Sequence, residues 1–496
     1  MLIIHNAPSG EAKYCGYDVR INGVTALPSL CRVSAVPYNT EWPGHQRPLD
    51  QTEETGFLSF ECDGEVNISI TYSTPPSEIT VRPLSRGVKA KIDGSIASFT
   101  LSELGAYTVE ADGYHHALHI FLNPIKSFES YTDGAKTVLR YGAGIHRIGR
   151  VELPSDTAVI IDSGAYIYGS FCAVCAHNIS ICGYGVIDGS CEARDNESSL
   201  LPLDYYATIP HDRGEILDLI RRRHSLDGIL RFYNCENIHV EGVIMRDSST
   251  FAAIAARCKQ VIFENVKAIG MWRYNSDGID LFNCRDCVIS HSFMRNFDDC
   301  IVLKGICGWD NENMENILVT DCVTWCDWGR NLEIGAETNA DSFKNITFKN
   351  CDCIHGSSIF LDIHHHNRAH ISDVIYENIN IEYTRHQLSD VYQSDMSLPY
   401  PHGYKISHPL LIGIPIYASG LFSKDGKHGD VKHISFKNIN IISDIPLRPV
   451  IMIRGLDTEH TVSDVTLSGL TLNGTPLRTS DIDLAVNDFA ESIKLE

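Results

Sequence analysis

The chain has 496 residues, 43% of them apolar, a mean hydropathy of −0.10 and a formal net charge of −22. That length exceeds one ordinary compact domain unless the fold is elongated and repetitive. The charge argues against nucleic acid and anionic membrane as partners, because like charges repel.

The N-terminus, Met-Leu-Ile-Ile-His-Asn-Ala-Pro, has no basic leader region, and no 18-residue apolar run follows it, so a cytoplasmic location is expected. The seventeen cysteines are scattered through apolar strand-like runs. Cys284-x-x-Cys287 and Cys351-x-Cys353 are single pairs without partner motifs, which reads as reduced thiols packed as small hydrophobes.

Residues 1–126 carry short alternating runs such as Val66-Asn-Ile-Ser-Ile-Thr-Tyr and Ala117-Leu-His-Ile-Phe-Leu, punctuated by Asp63-Gly64, Asp93-Gly94 and Asp112-Gly113. This pattern predicts an antiparallel β-sandwich. Residues 127–137 read as a linker into a second domain, 138–496. There an amide or acid followed by an aliphatic residue recurs at Asn178-Ile179, Asn237-Ile238, Gln260-Val261, Cys287-Val288, Asn316-Ile317, Asn345-Ile346, Asp373-Val374, His433-Ile434 and Asp464-Val465. From Ile238 to Val374 the steps are 23, 27, 29, 29 and 28 residues, and the two gaps near 60 are two turns, or one turn with an insertion.

Steps of this size with several short strands each predict a right-handed parallel β-helix, in which stacked coils bury a common apolar column and corner asparagines form ladders. Leucine-rich repeats share the period, but the spacing favours Val, Ile and Phe with Asn over regularly placed leucines. The all-β chain is interrupted by a short helix expected at 215–224.

A second ladder runs through Gly278-Ile-Asp-Leu, Cys300-Ile-Val-Leu, Leu332-Glu-Ile-Gly and Ile359-Phe-Leu-Asp. Aligning Ile279 with Ile301 sets Asp277 beside Asp299 on the adjacent coil, about 4.8 Å away, with Asp298 next to them. Strict alternation would turn these acids inward with the isoleucines, so a bend at Gly278 is expected. Clustered carboxylates repel, so one holds its proton while another stays ionised. This division suits acid–base cleavage of a glycosidic bond; the competing reading is a calcium site. Lys304 on the same rung favours the first.

Asn275-Ser-Asp-Gly resembles the Asn-Thr-Asp-Gly motif of glycoside hydrolase family 28, the polygalacturonase-like family. Asp298-Asp299-Cys-Ile resembles its Asp-Asp-Cys-Ile motif. A sandwich before the β-helix is similar instead to family 49 (dextranase and isopullulanase), of the same clan. The resemblance implies an inverting hydrolase of α-linked saccharides with catalytic Asp277, Asp298 and Asp299. Asp298 would be the general acid; Asp277 and Asp299 would position and deprotonate water. No cofactor and no metal is implied. Where family 28 has Gly-His-Gly this chain has Gly329-Arg330-Asn331, and the Arg-Ile-Lys that grips a galacturonate is replaced in Asp362-Ile-His-His-His-Asn-Arg368, so the expected enzyme is not a standard pectinase.

Candidate substrate-binding residues are Trp272, Arg273, Asn275, Lys304, Arg330, Glu333, Glu337, His364, His365 and Arg368. Trp309, Trp325 and Trp328 serve either as sugar platforms or as packing under loops. Consecutive histidines on a strand face opposite ways, so His364-His365-His366 is a poor metal triad. Arg330 or Arg368 remain able to grip an acid group. The insertions at 190–225 and 384–430 are expected to close one end of the groove and favour exo-action on oligosaccharides. A uronate hydrolase, a β-helix lyase or intramolecular fructosyl-type transferase, and a non-catalytic carbohydrate-binding protein are the rival readings; oligomeric state is not legible.

Overall fold

The computed structural model describes residues 1–35, 49–192, 214–215, 228–306, 313–386, 391–393, 403–405, 408–418 and 426–496. All but the first residue of the expected helix at 215–224, together with Trp309 and most of the two insertions, lie outside them.

The fold is a right-handed parallel β-helix preceded by an antiparallel sandwich, as the alternation and the repeat predict. In the sandwich, Tyr17–Ile21, Val24–Ala26, Val66–Tyr72, Lys91–Asp93 and Ile96–Leu101 form one antiparallel sheet. The facing sheet contains Leu2–Ile4, Ser29–Ser34, Thr52–Cys62, Ile79–Arg82, Gly105–Ala111 and Leu118–Asn123. One pairing departs from expectation: Leu118–Asn123 runs parallel to Thr52–Cys62. Alternate side chains such as Val19, Ile68, Phe60 and Ile120 fill the space between the sheets.

From Thr137 the strands stack in parallel, and between His177 and Lys349 each described strand pairs with the third one after it, making three sheets and one coil per three strands. Ile179 pairs directly with Ile238, and Val374 with Ile434, so each long gap is one turn plus an insertion. One inner column runs Leu230, Ala253, Ile279, Ile301, Leu332, Leu361, Ile412 and Ile451, all fully buried.

The recurring polar residue has a backbone role. Asn178, Asn237, Gln260, Asn316, Asn345, Asp373, His433 and Asp464 all adopt left-handed φ of 53–59°. Side chains that bond locally tolerate this conformation best. One repeat position shifts: Cys287, not Val288, stands between Val261 and Ile317 in register, and Asp286 takes the left-handed corner. The corner amides form the expected ladder, Asn237 Nδ2 donating to Asn178 Oδ1 at 2.7 Å and Asn316 Nδ2 to Asp286 Oδ1 at 2.8 Å.

None of the sixteen described cysteines forms a disulfide, and thirteen of them are buried. Cys235, Cys258 and Cys284 stack at one corner, where each lower N–H meets the next sulfur at 3.3 and 3.4 Å. Here the thiol acts as a small hydrophobe and a weak acceptor.

The sandwich seats on the β-helix through Cys31, Val33, Phe57 and Phe121 against Ile244, Ile269, Phe293 and Trp325. Buried charges seal the contact: Arg82 pairs with Glu110 (3.0 Å) and with Glu382, His355 meets Glu110 at 2.5 Å, and Arg295 stacks over Trp325 at 3.7 Å while reaching His119 at 2.8 Å. Trp325 is therefore packing. Ile301→Ala should cost about 2–5 kcal/mol by emptying the inner column, and Asn345→Ala at the exposed ladder about 1 kcal/mol. Equal losses in chemical denaturation of the two variants would contradict this division of the fold.

Candidate active site

The site forms at one corner, where the chain passes into the sheet made of Ile279–Phe282, Ile301–Gly305, Arg330–Thr338 and Ile359–His365. Three successive coils deliver Asp277, the Asp298–Asp299 pair and Gly329-Arg330 to it. Backbone bonds lock the corners together: Gly278 N–H donates to Asp299 O at 2.8 Å, Cys300 N–H to Arg330 O at 2.8 Å, and Gly329 N–H to Phe297 O at 3.2 Å.

The chain bends at Gly278. A Cβ there would lie 2.2 Å from the Cys300 carbonyl oxygen, so only glycine permits the approach. At Gly329 a Cβ would lie 2.4 Å from Asp299 Oδ1, the oxygen that accepts the Arg330 N–H at 3.0 Å. The bend takes Asp277 out of the strand alternation. Its Oδ2 accepts from Lys304 Nζ at 2.8 Å, and Lys304 projects from the outer face of its strand, opposite Ile301 and Leu303. Asp277, Asp298 and Asp299 thus share one outward corner, at 2%, 6% and 6% exposure.

Lys304 also pairs with Asp280 at 3.0 Å and approaches Asp299 at 3.9 Å. Burial opposes its charge, but this ring of carboxylates pushes its ammonium well above the usual lysine range. The acids separate accordingly. Burial, then the charges of Asp277 and Asp299, raises Asp298 well above the carboxylate range. Burial likewise raises Asp277, against the pull of Lys304, to about 6. Asp299 moves the other way: burial opposes ionisation, but Arg330 and Lys304 together hold it below its ordinary value. One protonated and one ionised carboxyl group, adjacent in sequence, are the pair that acid–base catalysis requires.

The other predicted residues divide. Arg330, a quarter exposed, lies 3.8 Å from Asp299 and 3.9 Å from Glu333. Glu333 is fully buried on the outer face of its strand, and burial with the nearby Asp299 charge raises it well above the carboxylate range. Glu337 is close enough for its charge to raise both Asp277 and Lys304. Trp272 and Arg273 hold a neighbouring loop: indole Nε1 donates to Asp247 Oδ1 at 2.9 Å, and Arg273 pairs with Asp247 beneath a cation–π contact of 4.6 Å. Asn275 takes a left-handed φ of 51° in the turn before Asp277. His364 bonds Asp362 at 3.3 Å and stacks with His366 and Tyr417.

Two predicted ligands do not join the cluster. His365 faces inward, fully buried, with Nδ1 2.8 Å from Thr338 Oγ1, and desolvation lowers it to about 3. Alternation along the strand is the reason. Arg368 pairs with Asp341 at 2.8 Å. Trp328, half-buried and stacked on Phe297 at 5.5 Å, is the tryptophan placed beside Asp298–Asp299.

Sequence reading missed Asp280 and Asp362 as site members. Their signal is register: Asp280, Val302, Glu333 and Asp362 form one outward row. Asp280 lies on the strand beneath Lys304, where burial raises it well above the carboxylate range. Glu333, Asp362 and His364 also bring ligand atoms within 4.8 Å of one another, a set able to hold a metal ion, although Arg330 already occupies the space beside the two carboxylates.

Residues 170–388 match the model of glycosyl hydrolases family 28. No curated protein sequence matches the chain. Among solved structures, Dex49A from Penicillium minioluteum aligns over 99% of this chain and 96% of its own, at 13% identity and a TM-score of 0.65. A hyperthermoactive exopolygalacturonase from Thermotoga maritima aligns over 73% and 83%, at 16% identity and a TM-score of 0.50. These structural likenesses show a shared fold, and the first extends it across the sandwich as well as the β-helix.

Lys304→Met should destabilise the protein by about 3–5 kcal/mol, because it leaves buried carboxylates without their cation. Adding Asp280→Asn should recover part of that loss. Thermal melts of the two variants check this, and no recovery in the double variant would contradict the proposed balance.

Proposed function

We propose that this chain, a glycoside hydrolase of the family 28 clan with a family 49-like front sandwich, cleaves α-linked saccharides with inversion at the anomeric carbon. The observation that carries the reading is the gathering of Asp277, Asp298 and Asp299 from adjacent coils at one corner, where Lys304 and Arg330 approach Asp299 but not Asp298, a setting that raises Asp298 and lowers Asp299. Asp298 then protonates the departing glycosidic oxygen. Asp299, held ionised by Arg330 and Lys304, takes a proton from the attacking water, and Asp277 helps to position that water. Inversion follows because a single displacement brings water in on the face opposite the leaving group. Lys304 keeps the three aspartates compatible in one buried corner and supplies no proton itself.

Trp328 is placed to stack against the apolar face of a sugar ring beside the acids. Thiols buried among strands throughout the β-helix support the further proposal of a cytoplasmic enzyme.

Asp298→Asn should lower turnover about 10²–10⁴-fold with the melting temperature preserved. NMR of the first-formed anomer on a cleavable α-linked oligosaccharide should show inverted configuration, and a retained anomer would sink the single-displacement mechanism. The pH profile of kcat/KM should be bell-shaped. Its acid limb lies at about 6, where Asp277 takes up a proton as pH falls. Its alkaline limb appears where Asp298 loses the proton it must donate. A flat alkaline side would remove Asp298 from the acid role.

A further inference from the structure

Glu333 and Asp362 occupy the same register position on neighbouring coils, next to the Asp299 corner, and both side chains are fully buried. Glu333 Oε1 and Oε2 and Asp362 Oδ1 meet no hydrogen-bond donor. Buried acceptors without donors are unfavourable and uncommon in folded proteins. Between them stands Arg330. Its Nε is 3.5 Å from Asp362 Oδ2 and 3.9 Å from Glu333 Oε1, and its Nη1 is 3.8 Å from Asp299 Oδ1. The guanidinium therefore faces three carboxyl groups, none of them at hydrogen-bonding distance from it.

The charge arithmetic of this corner bears on the substrate. Lys304, the cation on the neighbouring coil, is 8% exposed and held by Asp277 and Asp280. Arg330 is a quarter exposed, and its positive charge is answered by Asp299 and Asp362, while the Glu333 carboxyl beside it is held towards its neutral form by burial and the Asp299 charge. Arg368 pairs with Asp341. A sugar carboxylate arriving at Arg330 would meet a guanidinium already matched by anions, in a poorly solvated setting where like charges repel strongly. An uncharged sugar meets no such repulsion at this corner.

We propose that Glu333 and Asp362 are specificity-determining residues that commit Arg330 and make this site selective for uncharged sugars over uronates. The inference rests on the glycoside hydrolase reading above and names the substrate class of that same site. The two residues act on discrimination: Asp298 and Asp299 carry the chemistry, and Glu333 and Asp362 decide which ring is admitted beside them.

The test measures binding in the Asp298→Asn background, so that cleavage does not interfere. Calorimetry is run on a panel of α-linked disaccharides paired so that members differ only in a C6 hydroxymethyl or C6 carboxylate group. With Glu333 and Asp362 intact, the neutral member of a bound pair should be preferred by about 100-fold. Glu333→Gln with Asp362→Asn keeps both shapes, removes the Asp362 charge and supplies amide donors. It should cut the preference at least about tenfold, through tighter binding of the uronide. Each single variant should fall between, and melting curves confirm that all remain folded. Equal or better binding of the uronide in the Asp298→Asn background overturns the proposal. So does an unchanged preference in the folded double variant. Failure to bind either member of any pair overturns the carbohydrate reading itself, a result distinct from lost selectivity.

Discussion

Everything at this site depends on parallel coils stacking without a register slip. Ile279 over Ile301 over Leu332 over Leu361 is an apolar column that gains its burial only when each coil lies directly on the last. A shift of one residue would turn that column outward and carry the site residues with it. The same alignment brings acids distant in sequence onto one corner. Burial of the inner column is thus the force that assembles the outer one, and the left-handed asparagines and aspartates at the corners keep each turn the right shape.

The cleft that results is overloaded with carboxyl groups, and its chemistry comes from how they are told apart. A single ammonium, Lys304, is shared by Asp277 and Asp280 and felt by Asp299. Arg330 supplies a second positive charge on the next coil, with its backbone N–H bound to Asp299 and its side chain among Asp299, Glu333 and Asp362. Asp298 lies between two ionisable neighbours and has neither cation in direct contact, so burial dominates and it keeps its proton. Asp299 is one residue away and has both cations near, so it does not. Adjacent positions in the chain acquire opposite proton affinities because a tight corner points their side chains into different surroundings.

The sandwich contributes indirectly. It covers the sheet that contains Phe293 and Trp325, and that sheet leads into the Phe297–Asp299 corner. Arg295, His119, His355, Glu110 and Arg82 form a buried polar seam along the contact. Their ion pairs and hydrogen bonds cross between the two parts and hold them in one relative position. Trp325, a sugar platform by composition alone, is consumed in that seam.

Sequence alone was enough for the period, the apolar column, the ladder of corner amides, the pairing of Asp277 with Asp299 and the bend at Gly278. All of these follow from local alternation and repeat spacing, which are properties of the chain itself. It misplaced Cys287 by one position, because a cysteine with an aspartate before it and a valine after it allows two alignments. It counted His365 and Arg368 as ligands and passed over Asp280 and Asp362. Those decisions belong to the tertiary structure: which face of a strand opens to the cleft, which cation is already taken, and which carboxyl group is denied a partner are set by the coils above and below, residues that a single coil does not contain.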